Sequence, residues 1–138
     1  MKKTIKTRQA VAAYNVAKTL KLGKVERNDV FALLRAANAL KPTATGYEDF
    51  VKDAQERLKP EGFDRIAAKY QEREELTSKE QAAIEKYNKD VSDCVEAELD
   101  KPVEVDFDPV GDDGLYALAT ANEVLTLEAV ALMQEVFC

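Results

Sequence analysis

Apolar residues recur every three or four positions through most of the first hundred residues, the spacing that sets one face of an α-helix against a core. The first run, Val11, Tyr14, Ala17 and Leu20, predicts a helix with Thr7 as N-cap and Gly23 as its stop. A second run, Val30, Phe31, Leu34, Ala37 and Leu40, predicts a helix capped by Asn28 or Asp29. Pro42 is expected to close it, because a proline ring disfavours helical geometry in the residue before it. Thr45 and Glu48 then match a capping box, followed by the stripe Tyr47, Phe50, Val51, Ala54 and Leu58. Pro60, Glu61 and Gly62 break the chain, and Phe63, Ile66, Ala67 and Tyr70 restart it. A second capping box, Thr77 to Glu80, opens a long helix bearing Ile84, Tyr87, Val91, Cys94, Val95 and Leu99. Its spacing is compatible with a short coiled-coil seam, but a plain helical hairpin is the simpler expectation.

At Pro102 the period changes from 3.6 to 2. Val103, Val105 and Phe107 alternate with Glu104, Asp106 and Asp108, the pattern of a strand with one buried and one wet face. Residues 111–114, Gly-Asp-Asp-Gly, read as a turn before a short helix with Leu115, Leu118 and Ala119 inward. Thr126 caps a last helix running to about Phe137. An isolated strand is not stable in water, and residues 2–6 are the other candidate strand. Pairing them with 103–107 would set lysines beside Glu104, Asp106 and Asp108. The expected fold is therefore mostly α: a small helical bundle with a two-stranded β-ribbon, in a single domain over residues 1–138.

Charge sharpens this picture. The overall balance is −6, but residues 1–42 carry ten basic side chains against two acidic ones, a net +8. The other ten basic and 24 acidic residues leave a net −14 on 43–138. From Asp90 onward Lys101 faces 13 acids alone. Such a split suits a basic arm for nucleic acid, or two ends that attract each other within or between subunits. The basic part has only Tyr14 and Phe31 as aromatics, and the acidic remainder would repel phosphates. Head-to-tail or intramolecular complementarity is the favoured reading, with nucleic-acid binding the lesser alternative.

Candidate chemistry is sparse. The chain has no His and no Trp, so the commonest general base and metal ligand is missing. A Ser-His-Asp or Cys-His arrangement is impossible within it. Residues 106–112 place acids at the first and third positions and Gly at the sixth of a calcium loop, but Val110 and Ala117 stand where ligands are required. Cys94 lies on an apolar stripe and Cys138 is the last residue; the five tyrosines recur at helical spacing and read as core. We expect no cofactor, no metal and no enzymatic activity. No segment has the apolar length to cross a bilayer, and neither a targeting leader nor membrane association is expected.

The plan resembles a group of small, uncharacterised proteins of tailed bacteriophages encoded near virion genes. The resemblance lies in the lysine-rich opening 1–7, the helices through Leu40, the charged middle 71–100, the strand 103–107 and the closing 125–138. It implies a phage or prophage protein in the bacterial cytoplasm that can be carried into the virion. The functional expectation is a structural or assembly factor whose partners are other proteins, itself and phage structural proteins among them. An anti-defence protein that captures a host protein or a small signalling molecule is the alternative. Candidate surface residues are Leu132, Met133, Val136 and Phe137, because the last helix is apolar over more than one face, and the basic Lys2, Lys3, Lys6 and Arg8.

Overall fold

A computed structural model describes residues 1–138. The elements are β1 (Lys2–Lys6), α1 (Thr7–Ala17), α2 (Arg27–Arg57), α3 (Phe63–Gln71), α4 (Ser78–Leu99), β2 (Pro102–Asp106), α5 (Asp112–Ala121) and α6 (Leu127–Phe137). The fold is mostly α with a short β-ribbon, as the pattern predicts. Contacts gather in two units: Met1–Tyr47 with Leu99–Cys138, and Glu48–Glu98.

In the first unit β1 and β2 pair antiparallel, Lys2 opposite Asp106, Thr4 opposite Glu104 and Ile5 opposite Val103. Ile5 and Val105 turn inward and are buried. The ribbon is continued by the Met1 ammonium, which lies 3.0 Å from the Asp106 carboxylate. Beneath it α1 presents the fully buried Ala10 and Ala13, side chains small enough for α6 to pack closely. Leu40, Leu118, Met133, Val136 and Phe137 complete a continuous core. Burying one such aliphatic or aromatic side chain contributes about 1.5–3 kcal/mol before entropy is counted. Leu115 brings α5 down beside the first turn of α2, where Gly114 has no Cβ: an added one would sit 2.7 Å from the Asp29 carboxylate.

The second unit is thinner. Its buried residues are Ala54, Ile66 and Glu80, and the α4 row Ile84, Tyr87, Val91, Cys94 and Val95 is only half-covered. The Tyr87 hydroxyl donates to the Gln55 carbonyl (3.2 Å), and the Phe63 and Tyr87 rings meet at 4.8 Å. The predicted Thr77–Glu80 capping box is formed: each side chain accepts the other's backbone N–H at 3.1 Å. α3 ends in a Schellman motif, Glu74 N–H to Lys69 O and Arg73 N–H to Tyr70 O, with Arg73 in the left-handed region at φ 58°.

Several expectations require correction. Asn28 and Asp29 lie inside α2, which starts at Arg27, rather than capping it, and Tyr70 and Tyr116 are exposed rather than core. Pro42 does not end a helix, and α2 passes through it. The missing N–H and the ring clash cost about 3 kcal/mol or more. Pro42 faces solvent, however, and the buried row Leu33, Ala36, Leu40, Ala44 runs past it unbroken. Thr45 and Glu48 accordingly form no cap and are exposed mid-helix positions. Thr7 is the first helical residue rather than the N-cap; its hydroxyl donates to the Lys101 carbonyl at 2.9 Å, tying α1 to the chain entering β2. The 111–114 segment is not a free turn, since α5 starts at Asp112 and holds Gly114 inside it.

Candidate interaction surfaces

α2 is apolar over more of its circumference than its core face uses. Leu33, Ala36 and Leu40 point inward. Val30, Leu34 and Ala37 lie roughly 40–100° further round, at 100° per residue. With Tyr14, Ala17 and Leu22 they line a groove of about 320 Å³ that also includes Lys18, Asn38 and Lys41. Leu34 is 49% exposed and Leu22 38%. Phe31, also exposed, lies under the Arg27 guanidinium at 5.5 Å, and Lys18 lies over the Tyr14 ring at 5.8 Å. The result is an apolar trough bordered by cations.

The α5–α6 edge carries the opposite charge. Leu118, Met133, Val136 and Phe137 face inward, leaving Tyr116, Val124 (90% exposed) and Leu127 (85%) in solvent. Asp112, Asp113, Glu123 and Glu128 are exposed among them, and no Lys or Arg follows Lys101. Thr126 fixes the start of α6, its hydroxyl accepting the Ala129 N–H at 3.1 Å. The buried Asn122 ties this edge to the end of the α1 segment. Its side-chain oxygen accepts Lys21 N–H (2.7 Å), and its amide donates to the Lys21 (3.0 Å) and Leu118 (2.8 Å) carbonyls. Leu22 and Val124 therefore extend from two loops that are hydrogen-bonded to each other.

The residues predicted for a surface divide between the core and the exposed ribbon. Met133, Val136 and Phe137 are buried in the core and Leu132 packs against it half-covered, because α6 lies between α1 and α5. Lys3 is used internally: its ammonium donates to the Glu135 (2.6 Å) and Val136 (3.2 Å) carbonyls, placing a cation at the C-terminal end of α6 where the helix dipole favours one. Arg8 pairs with Asp100 at 2.9 Å. Lys2 and Lys6 are exposed on the ribbon. Sequence reasoning missed Leu22, Leu34, Val124 and Leu127 as outward residues. The available signal was that both Leu33 and Leu34 are apolar, so α2 must carry a second apolar face.

In the second unit two open clefts flank α3. One, of about 680 Å³, is lined by Arg65, Ile66, Lys69, Thr77, Lys79 and Glu80. The other, of about 740 Å³, is lined by Phe63, Tyr70, Ile84, Tyr87 and polar amides. The Thr77 backbone N–H and then the Lys69 ammonium, 3.0 Å away, hold the Glu80 carboxyl below the usual carboxylate range. Its second oxygen, Oε2, is buried without a partner. Burial pushes the Cys138 thiol up, keeping it protonated. In the segment that resembles a calcium loop, Asp106 lies in β2 against the Met1 ammonium, and Val110 is buried with its N–H on the Phe137 carbonyl at 2.7 Å. No family model, curated protein or solved structure matches the chain. No helix is long and apolar enough to cross a membrane.

Proposed function

We propose that this protein works through contacts with other proteins, as a non-enzymatic assembly or structural accessory factor of a phage or prophage. The observation that supports the reading is the pair of apolar faces on α2 and on the α5–α6 edge. Both lie on helices, or the loops that join them, whose core faces are already satisfied, and both expose large apolar side chains beside a single sign of charge. Contiguous apolar surface beside polar groups is a mark of protein recognition. A photoreactive residue at Leu34 or at Leu127, introduced in the producing cell, should form protein adducts. The same residue at the exposed Glu61 should form none. Absence of adducts at both apolar positions would overturn the reading. The phage setting is tested separately by the neighbouring genes: particle or assembly genes support it, and a metabolic operon would overturn it.

A further inference from the structure

We infer that the partner of the cationic groove is a second copy of this chain, bound through its acidic α5–α6 edge. The inference rests on the protein-contact reading above and gives it an occupant. The groove offers an apolar floor (Ala17, Val30, Leu34, Ala37) with Lys18 and Lys41. The edge offers what such a groove takes: projecting apolar side chains, Val124 and Leu127, flanked by Glu123 and Glu128. None of these four charged residues forms an ion pair within its own chain, so their charges are available to a partner. The Coulombic fit works only in the crossed sense, because groove on groove sets cation against cation and edge on edge sets acid against acid. Like charges set face to face across an interface cost several kcal/mol. A groove-to-edge contact is therefore the one self-association that both patches allow.

The adjacency of the two patches sharpens the geometry. The Asn122–Lys21 hydrogen bonds hold the loops bearing Leu22 and Val124 side by side. A surface whose neighbouring halves have opposite charge is self-complementary under a two-fold rotation, with each groove facing the other copy's edge. The inferred assembly is thus a reciprocal dimer.

Charge reversal tests it on the full-length chain, with mass read by sedimentation and light scattering and folding by circular dichroism. The wild type should be a dimer at low salt and dissociate as salt rises. Lys18→Glu with Lys41→Glu, or Glu123→Lys with Glu128→Lys, should each weaken the dimer at least about a hundredfold. All four positions are exposed, so both variants should keep wild-type helicity. Mixing them should restore a one-to-one dimer, because every groove then meets an edge of opposite charge. Leu34→Ser, free of any charge change, should weaken the dimer as well. A wild type that is monomeric at every concentration, or a dimer that survives either reversal, would overturn the inference. If the monomer still gives adducts to another protein at Leu34, the contact function stands and only the self-partner falls. Loss of both results removes both.

Discussion

The two units use the same kind of amphipathic helix to different ends. In the first, six elements converge on one core. Its members reach full burial because small residues, Ala10, Ala13 and Ala36, let larger ones such as Phe137 and Leu118 interdigitate. In the second, the end of α2 with α3 and α4 buries two apolar residues, and the α4 row stays half-wet. Polar devices compensate there: the Thr77–Glu80 box, the Lys69–Glu80 pair and the Tyr87–Gln55 hydrogen bond. The comparison teaches that helical periodicity sets which residues of a helix lie together, whereas the number of opposing layers sets how deeply they are buried. Local stability follows the second quantity.

Removing residues 1–6 should have the largest effect. It deletes β1, takes Ile5 from the core, leaves β2 without a partner and withdraws the Lys3 cation from the end of α6. The thermal midpoint should fall by about 10 °C or more, and an unchanged midpoint would show that the ribbon does not hold the first unit. Next comes a matched pair of truncations. Phe137→Ala should cost about 3–5 kcal/mol, read by denaturant titration. Ile84→Ala, half-covered in α4, should cost less than about 2 kcal/mol for want of a full cavity. Equal costs would erase the distinction between the units.

A smaller effect of opposite sign is expected at Arg73. A left-handed backbone costs a non-glycine residue roughly 1–2 kcal/mol. Arg73→Gly should therefore slow amide exchange across the end of α3, and faster exchange would mean that the arginine side chain matters more than the strain. The smallest effect is a pH dependence confined to the second unit. The carboxyl of Glu80 is held below its usual value of 4.5 by Thr77 and Lys69. Its contribution is complete above that value and is lost as pH falls through the lowered one. The first turn of α4 should fray as acidification protonates Glu80, below the ordinary glutamate range, while in Glu80→Gln that fraying should disappear. Persistence of the acid response in the variant would assign it to another carboxylate.

Much of the fold was legible in local pattern. The change of period at Pro102 marked β2, the rule that a lone strand needs a partner pointed to β1, and the observed register sets Lys2 opposite Asp106. The caps at Thr77 and Thr126 were legible because each satisfies backbone groups within three residues of itself. The interaction surfaces were much less so. The basic and acidic halves could be counted along the chain, but Lys3 and Arg8 turned out to be committed to the Glu135 and Val136 carbonyls and to Asp100, groups that lie more than ninety residues away.

By itself, then, the sequence determined most element types, the ribbon, the caps at Thr77 and Thr126 and the split of charge, all of which depend on residues near in the chain or on simple periodicity. Tertiary structure decided the rest. Pro42 stays inside α2 because the buried row on the opposite side continues through it, a contribution that no local propensity contains. Leu33 rather than Leu34 faces the core because it joins the buried cluster that holds Ala13, Leu118 and Met133, residues distant in sequence. The same packing covers Met133, Val136 and Phe137 and turns Leu127 outward. A helix with two apolar faces has two equally periodic solutions, and only the elements packed around it choose which face remains for a partner.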